Sequence, residues 1–140
     1  EEEQKILSTP TEELMNLPFI KETAMQNSGL AYMIAKRINQ LQAMKAAATT
    51  WKEHRARINT ISPGVIVTPL AYDEFAAAGE GYQQMIDTSA AERTGTSDEI
   101  AEAGAFLLGE HDGFITGTDL LIDGGVIAAI RTGKYKLHAE

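Results

Sequence analysis

Residues 30–52 contain nothing that breaks a helix and are rich in strong helix formers, so a helix of about six turns is the first fixed point of the chain. Ile34, Ile38, Leu41, Met44 and Ala48 recur at the three- and four-residue intervals of one apolar stripe. Tyr32, Lys36, Ala43, Ala46, Ala47 and Thr50 fall on the other side, where small residues let a second backbone approach closely. With so few charges on either side, the helix is expected to be buried nearly all round, under two layers not necessarily both from this chain.

Two other segments read as strands. Residues 57–62 stop at Pro63-Gly64, and Val65 to Thr68 continue extended as far as Pro69. Leu120, Leu121 and Ile122 form an apolar run between Asp119 and Asp123-Gly124-Gly125, the pattern of a fully buried parallel strand. Between the two lie short helical pieces at 71–78, ended by Gly79, and at 82–87. Thr96 with Glu99 then forms a capping box that opens an amphipathic helix reaching Leu108. Its apolar side carries Ile100, Ala103 and Leu107, with Gly104 beside them where the face packs tightly or bends.

Strands joined through helices pair in parallel and define an α/β fold. Two strands are too few to cover and edge such a sheet, so either the domain is unusual or its first half is absent. Upstream, Thr9-Pro10-Thr11-Glu12 reads as a short helix start with Thr9 as N-cap, and Pro18 holds Leu17 extended. Residues 19–29 show no period and are expected to be loop, Glu1 to Glu3 a solvated acidic stretch. The organisation expected is a lead-in or insertion at 1–28, the domain part at 29–130 and a polar tail at 131–140.

Composition narrows the function classes. The 140-residue chain has a net charge of −8 and 44% hydrophobic residues, which suits a folded domain and argues against nucleic-acid or anionic-membrane partners. No apolar run approaches the roughly 20 residues that span a bilayer, and no signal peptide is visible, so cytoplasm is the default compartment. Zero Cys removes thiolate chemistry and Cys-based zinc sites. His54, His111 and His138 lack metal-ligand spacing, so no metal is expected.

Tyr32 and Lys36 stand four apart on the long helix and share one side of it. A Lys ammonium beside a phenol favours the phenolate, and a phenol so placed serves as general acid or base on an alcohol or ketone oxygen. Such a pair also arises by chance on many helices. Pro63-Gly64 with Ile66 and Thr68 follows a strand, at the carboxyl end where open α/β sheets bind ligands. Backbone groups there and the Thr68 hydroxyl suit an amide such as a nicotinamide carboxamide, and an ordinary strand-to-helix turn fits equally well. Tyr72, Phe75, Tyr82 and Met85 line a substrate pocket or cap the core.

Taken in order, Tyr32-x-x-x-Lys36, Arg57 through Gly64 with Thr68, Gly95-x-x-Asp98-Glu99-Ile100-Ala101, and Gly113 to Gly117 leading into Leu121-Ile122-Asp123-Gly124-Gly125 resemble the short-chain dehydrogenase/reductase family over residues 28–126. The resemblance implies the C-terminal part of a Rossmann-like, doubly wound parallel sheet, with the long Tyr-Lys helix, two strands and lid helices. It implies NAD or NADP in the full-length protein and the interconversion of a small-molecule secondary alcohol and a ketone by hydride transfer to or from the nicotinamide. Tyr32 would be the acid/base and Lys36 would hold the nicotinamide ribose. Tyr32, Lys36, Pro63, Gly64, Ile66 and Thr68 would form the cofactor contact, with Ile66 and Thr68 at the carboxamide, and the protein would be a homodimer or homotetramer.

The family's glycine-rich phosphate loop has no counterpart here, and the place of its catalytic Ser is taken by Phe19, with Ser8 and Ser28 poor substitutes. Ser97 replaces the usual Pro at its helix start. The true Ser is expected upstream of Glu1, and the 140-residue chain alone is expected to be an inactive fragment. A non-catalytic association module, and an epimerase or dehydratase on the same scaffold, are the alternatives.

Overall fold

The structure is a computed structural model that describes residues 1–135, so His138 and the end of the expected tail lie outside the described residues. The chain divides into two compact units, Glu1–Thr60 with Gly113–Asp119, and Ile61–Asp112 with the chain from Leu120 onward.

The first unit is built on α3 (Ser28–Ala48), which stops at Thr49 and is followed by the short α4 (Thr50–Glu53). The 19–29 segment is not a loop. Leu17 is extended as expected, but Pro18 then occupies the first position of α2 (Pro18–Gln26), where its missing N–H costs nothing, so it starts a helix instead of stopping one. The Thr9 cap is also corrected. Helix α1 (Glu2–Ser8) takes up the acidic start, and the Thr9 hydroxyl donates to the Lys5 carbonyl at 2.6 Å, closing α1. Pro10 then precedes a 3₁₀ helix, Thr11–Asn16, with no side-chain cap.

These upstream elements cover one stripe of α3. Ile6, Leu14 and Ile20 are buried with Leu41, and Ile34 and Ile38 pack against them. Arg37 on α3 donates its Nε to Glu3 at 3.1 Å and ties α1 down. The small-residue side meets the Gly113–Asp119 segment, where a Cβ on Gly117 would stand 3.1 Å from that of Ala47. That segment is also laced to the chain before β1 (Thr60–Pro63). Arg57 Nη1 and Asn59 Nδ2 both donate to the Ile115 carbonyl, and Gly117 N–H donates to Ile58.

The described residues do not cover α3 on every side. Leu41 is the buried residue of α3, while Tyr32, Met33 and Met44 stay exposed.

Strand β1 pairs with β2 (Asp119–Ile122). Thr60 N–H donates to Thr118 and Gly64 N–H to Ile122, so both chains advance together and the pairing is parallel. The first strand begins at Thr60, three residues later than expected, and before it the Arg57 and Asn59 side chains both donate to the Ile115 carbonyl. Strand β2 is not fully buried, since Leu121 is 48% exposed on its outer face.

In the second unit, α5 (Pro69–Thr88) joins both expected pieces across a kink at Gly79, whose φ of 27° and ψ of −95° are non-helical and suit glycine. Phe75 and Tyr82 meet edge to face across that kink, with ring centroids 5.3 Å apart. Helix α6 (Ser97–Leu108) carries the expected capping box, complete in both directions. Gly104 neither packs tightly nor bends the helix, since a Cβ there would meet open space. Asp123 accepts from the N–H groups of Gly125 and Ile127 and so opens α7 (Val126–Arg131), which packs on α5. No helix among the described residues is long and apolar enough to cross a membrane.

Candidate active site

Asn27 starts the helix that bears the Tyr-Lys pair. Its side-chain oxygen accepts from Leu30 N–H at 2.9 Å, and Tyr32 follows two residues later. Tyr32 and Lys36 lie together as their spacing requires. The Lys36 ammonium stands over the Tyr32 ring, 5.3 Å from its centroid, a cation–π arrangement. The Tyr32 side belongs to the open part of α3, with the residue 65% exposed. The pair therefore presents a hydroxyl and an ammonium from neighbouring turns to whatever lies over it.

The other candidates share one short segment of the second unit. Pro63 ends β1, and Gly64 comes directly after it. A Cβ on Gly64 would stand 2.6 Å from the Asp123 Cα, so the first residue after the strand has room for hydrogen alone. Ile66 forms an isolated parallel bridge with Gly95. That bridge uses the Val65 carbonyl, which accepts from Gly95, and the Val67 N–H, which donates to Gly95. By ladder geometry the N–H and C=O of Ile66 itself point the opposite way. Thr68 caps α5 by accepting from Ala71 N–H at 3.2 Å, and its hydroxyl proton can still be donated.

This donor and acceptor set fits a carboxamide, which needs one backbone acceptor for its NH2 and one donor for its oxygen.

A cleft of about 80 Å³ in the same unit is lined by Val65, Ile66, Ile100 and Ile122 together with Arg93, Glu99 and Asp123. It is far below the roughly 300–1,000 Å³ of ligand pockets. Its charges are also engaged, Arg93 with Glu99 and Asp123 with the start of α7. Glu99 is pulled down to about 2, first by the hydrogen bond from Arg93 and then by the Thr96 backbone N–H. The cleft is a structural feature of the α6 start. The Arg93–Glu99 pair and the Asn27 cap both escaped the reading of the sequence. For Asn27 a signal existed, an Asn just before the helix-forming run. Among the described residues, no three His, Cys, Asp or Glu side chains gather to hold a metal.

Residues 3–127 match the family model described as enoyl-(acyl carrier protein) reductase. A short-chain dehydrogenase/reductase of Alternaria brassicicola, bsc3, is 38% identical over 89% of this chain and 45% of its own length. The chain belongs to the short-chain dehydrogenase/reductase family. D-threitol dehydrogenase of Mycolicibacterium smegmatis is 32% identical over 80% of this chain and 42% of its own.

Among solved structures, 4-hydroxyisoleucine dehydrogenase complexed with NADH superposes with a TM-score of 0.61 at 29% identity, over 70% of this chain and 40% of that one. ElxO with NADP bound gives 0.60 at 27% identity, over 76% and 43%. The described α/β fold is thus part of a Rossmann fold of this oxidoreductase family. The chain spans less than half the length of these relatives.

Proposed function

We propose that the whole protein interconverts a secondary alcohol and a ketone with NAD or NADP, Tyr32 serving as general acid/base and Lys36 assisting. The observation that carries this reading is the Lys36 ammonium held 5.3 Å over the Tyr32 ring on an open helix side, in a chain of an oxidoreductase family. When bound, the nicotinamide supplies or accepts the hydride. The Tyr32 hydroxyl gives its proton to the carbonyl oxygen in reduction and takes the alcohol proton in oxidation. Lys36 steadies the negative charge that develops on the phenol oxygen and donates to the ribose hydroxyls. Ile66 offers its N–H and C=O, and Thr68 its hydroxyl, to the carboxamide, while Pro63 and Gly64 set where that segment leaves the strand.

The substrate is a small-molecule alcohol or ketone, and the assembly a homodimer or homotetramer in the cytoplasm.

Lys36→Ala separates this reading from chance pairing. It is expected to lower kcat and raise the KM of the nicotinamide cofactor together, because ribose contacts and charge stabilisation are lost at once. Steady-state kinetics with the cofactor as varied substrate measures both. An unchanged cofactor KM and kcat would contradict the assignment.

A further inference from the structure

The geometry points to Asn27 as the positioning residue of the Tyr32/Lys36 pair, a role that rests on the catalytic reading of that pair given above. The side chain of Asn27 holds the backbone N–H of Leu30, two residues before Tyr32, at 2.9 Å, and its backbone carbonyl takes the first backbone bond of the helix, from Ala31 at 3.1 Å. The opening N–H groups of a helix have no partner within the helix, so what binds them decides whether the first turn is formed or frayed.

Burial gives that turn little help. Ser28 and Gly29 are exposed, Leu30 and Ala31 are half-buried, and the one fully buried residue of the helix is Leu41, more than two turns further on. Tyr32 is itself exposed, so the direction of its ring follows the backbone turn that carries it. The neighbouring sequence makes room for the cap. A Cβ on Gly29 would stand 3.2 Å from the Asn27 side-chain oxygen, so a larger residue there would press on the capping group. Asn27 is extended, with φ −162° and ψ 166°, as an N-cap requires. Losing the cap therefore loosens the turn that begins at Ser28 and ends on the tyrosine. Lys36, one turn deeper, then loses the ring over which its ammonium sits.

Two readouts by NMR test this without any turnover. With the Lys36 Nζ 5.3 Å from the Tyr32 ring centroid, the Lys36 ε-methylene protons of the native protein are expected to be shifted upfield by the ring current, an effect assigned by its loss in Tyr32→Leu. Asn27→Ala is expected to speed hydrogen exchange at the Tyr32 amide about fivefold, the usual scale of a lost cap, and to move the Lys36 signal back toward its unshifted position. Asn27→Asp caps equally well and is expected to keep both at native values. An Asn27→Ala protein that exchanges faster but keeps the full Lys36 shift would overturn the positioning role. One that changes neither readout would overturn the cap. If Tyr32 proves dispensable for turnover, the catalytic reading fails while both readouts stand, so the two failures are told apart.

Discussion

Tyr32→Phe is expected to lower kcat by about 10²–10⁴-fold, the contribution of a positioned general acid/base, with the melting temperature close to native. The change removes one hydroxyl from a side chain that is 65% exposed, so no buried partner is stranded. The ring remains beneath the Lys36 ammonium, so the cation–π contact survives. Loss of rate with retention of fold is the signature of a group that acts in the chemistry rather than in holding the fold. Parallel kinetics and thermal melts on the whole protein measure it. Near-native turnover would remove Tyr32 from the chemistry.

Gly64→Ala is expected to have the largest effect on stability, about 3 kcal/mol of destabilisation. The added methyl would overlap backbone, standing 2.6 Å from the Asp123 Cα and 2.7 Å from its Cβ. Neither atom belongs to a flexible side-chain tip, so the strand ends must separate. Separation costs the Gly64 N–H to Ile122 bond and moves Asp123, whose carboxylate holds the Gly125 and Ile127 amides at the start of α7. Denaturant melts of the two proteins check the figure, and a shift under about 0.5 kcal/mol, the range of surface changes, would mean that the two strand ends are less closely joined than described.

What the sequence disclosed was mostly local. The Thr96–Glu99 capping box, the Gly79 break and the Tyr32/Lys36 spacing each depend on residues within a few positions, and each stands where it was expected. Pro18 was ambiguous because the same ring that ends one helix can begin the next, and what decides is Ile20 finding a place in the core with Ile6, Leu14 and Leu41. In β2 the apolar run suggested full burial, whereas in α3 cover from outside this chain was already allowed for. An apolar residue is a candidate for cover, and Tyr32, Met33 and Leu121 find none among the described residues. The outward turn of the Ile66 backbone groups rests on Gly95, almost thirty residues away, which no local pattern signals.

In the proposed function, hydride passes between cofactor and carbonyl carbon while Tyr32 handles the proton. Reduction of a ketone by the whole protein, with nicotinamide cofactor deuterated at the transferred position and in ordinary water, tests this most directly. The account predicts deuterium on the new carbinol carbon, ordinary hydrogen on its oxygen, and the same labelling at a much lower rate in Tyr32→Phe. Ordinary hydrogen at the carbinol carbon would contradict it.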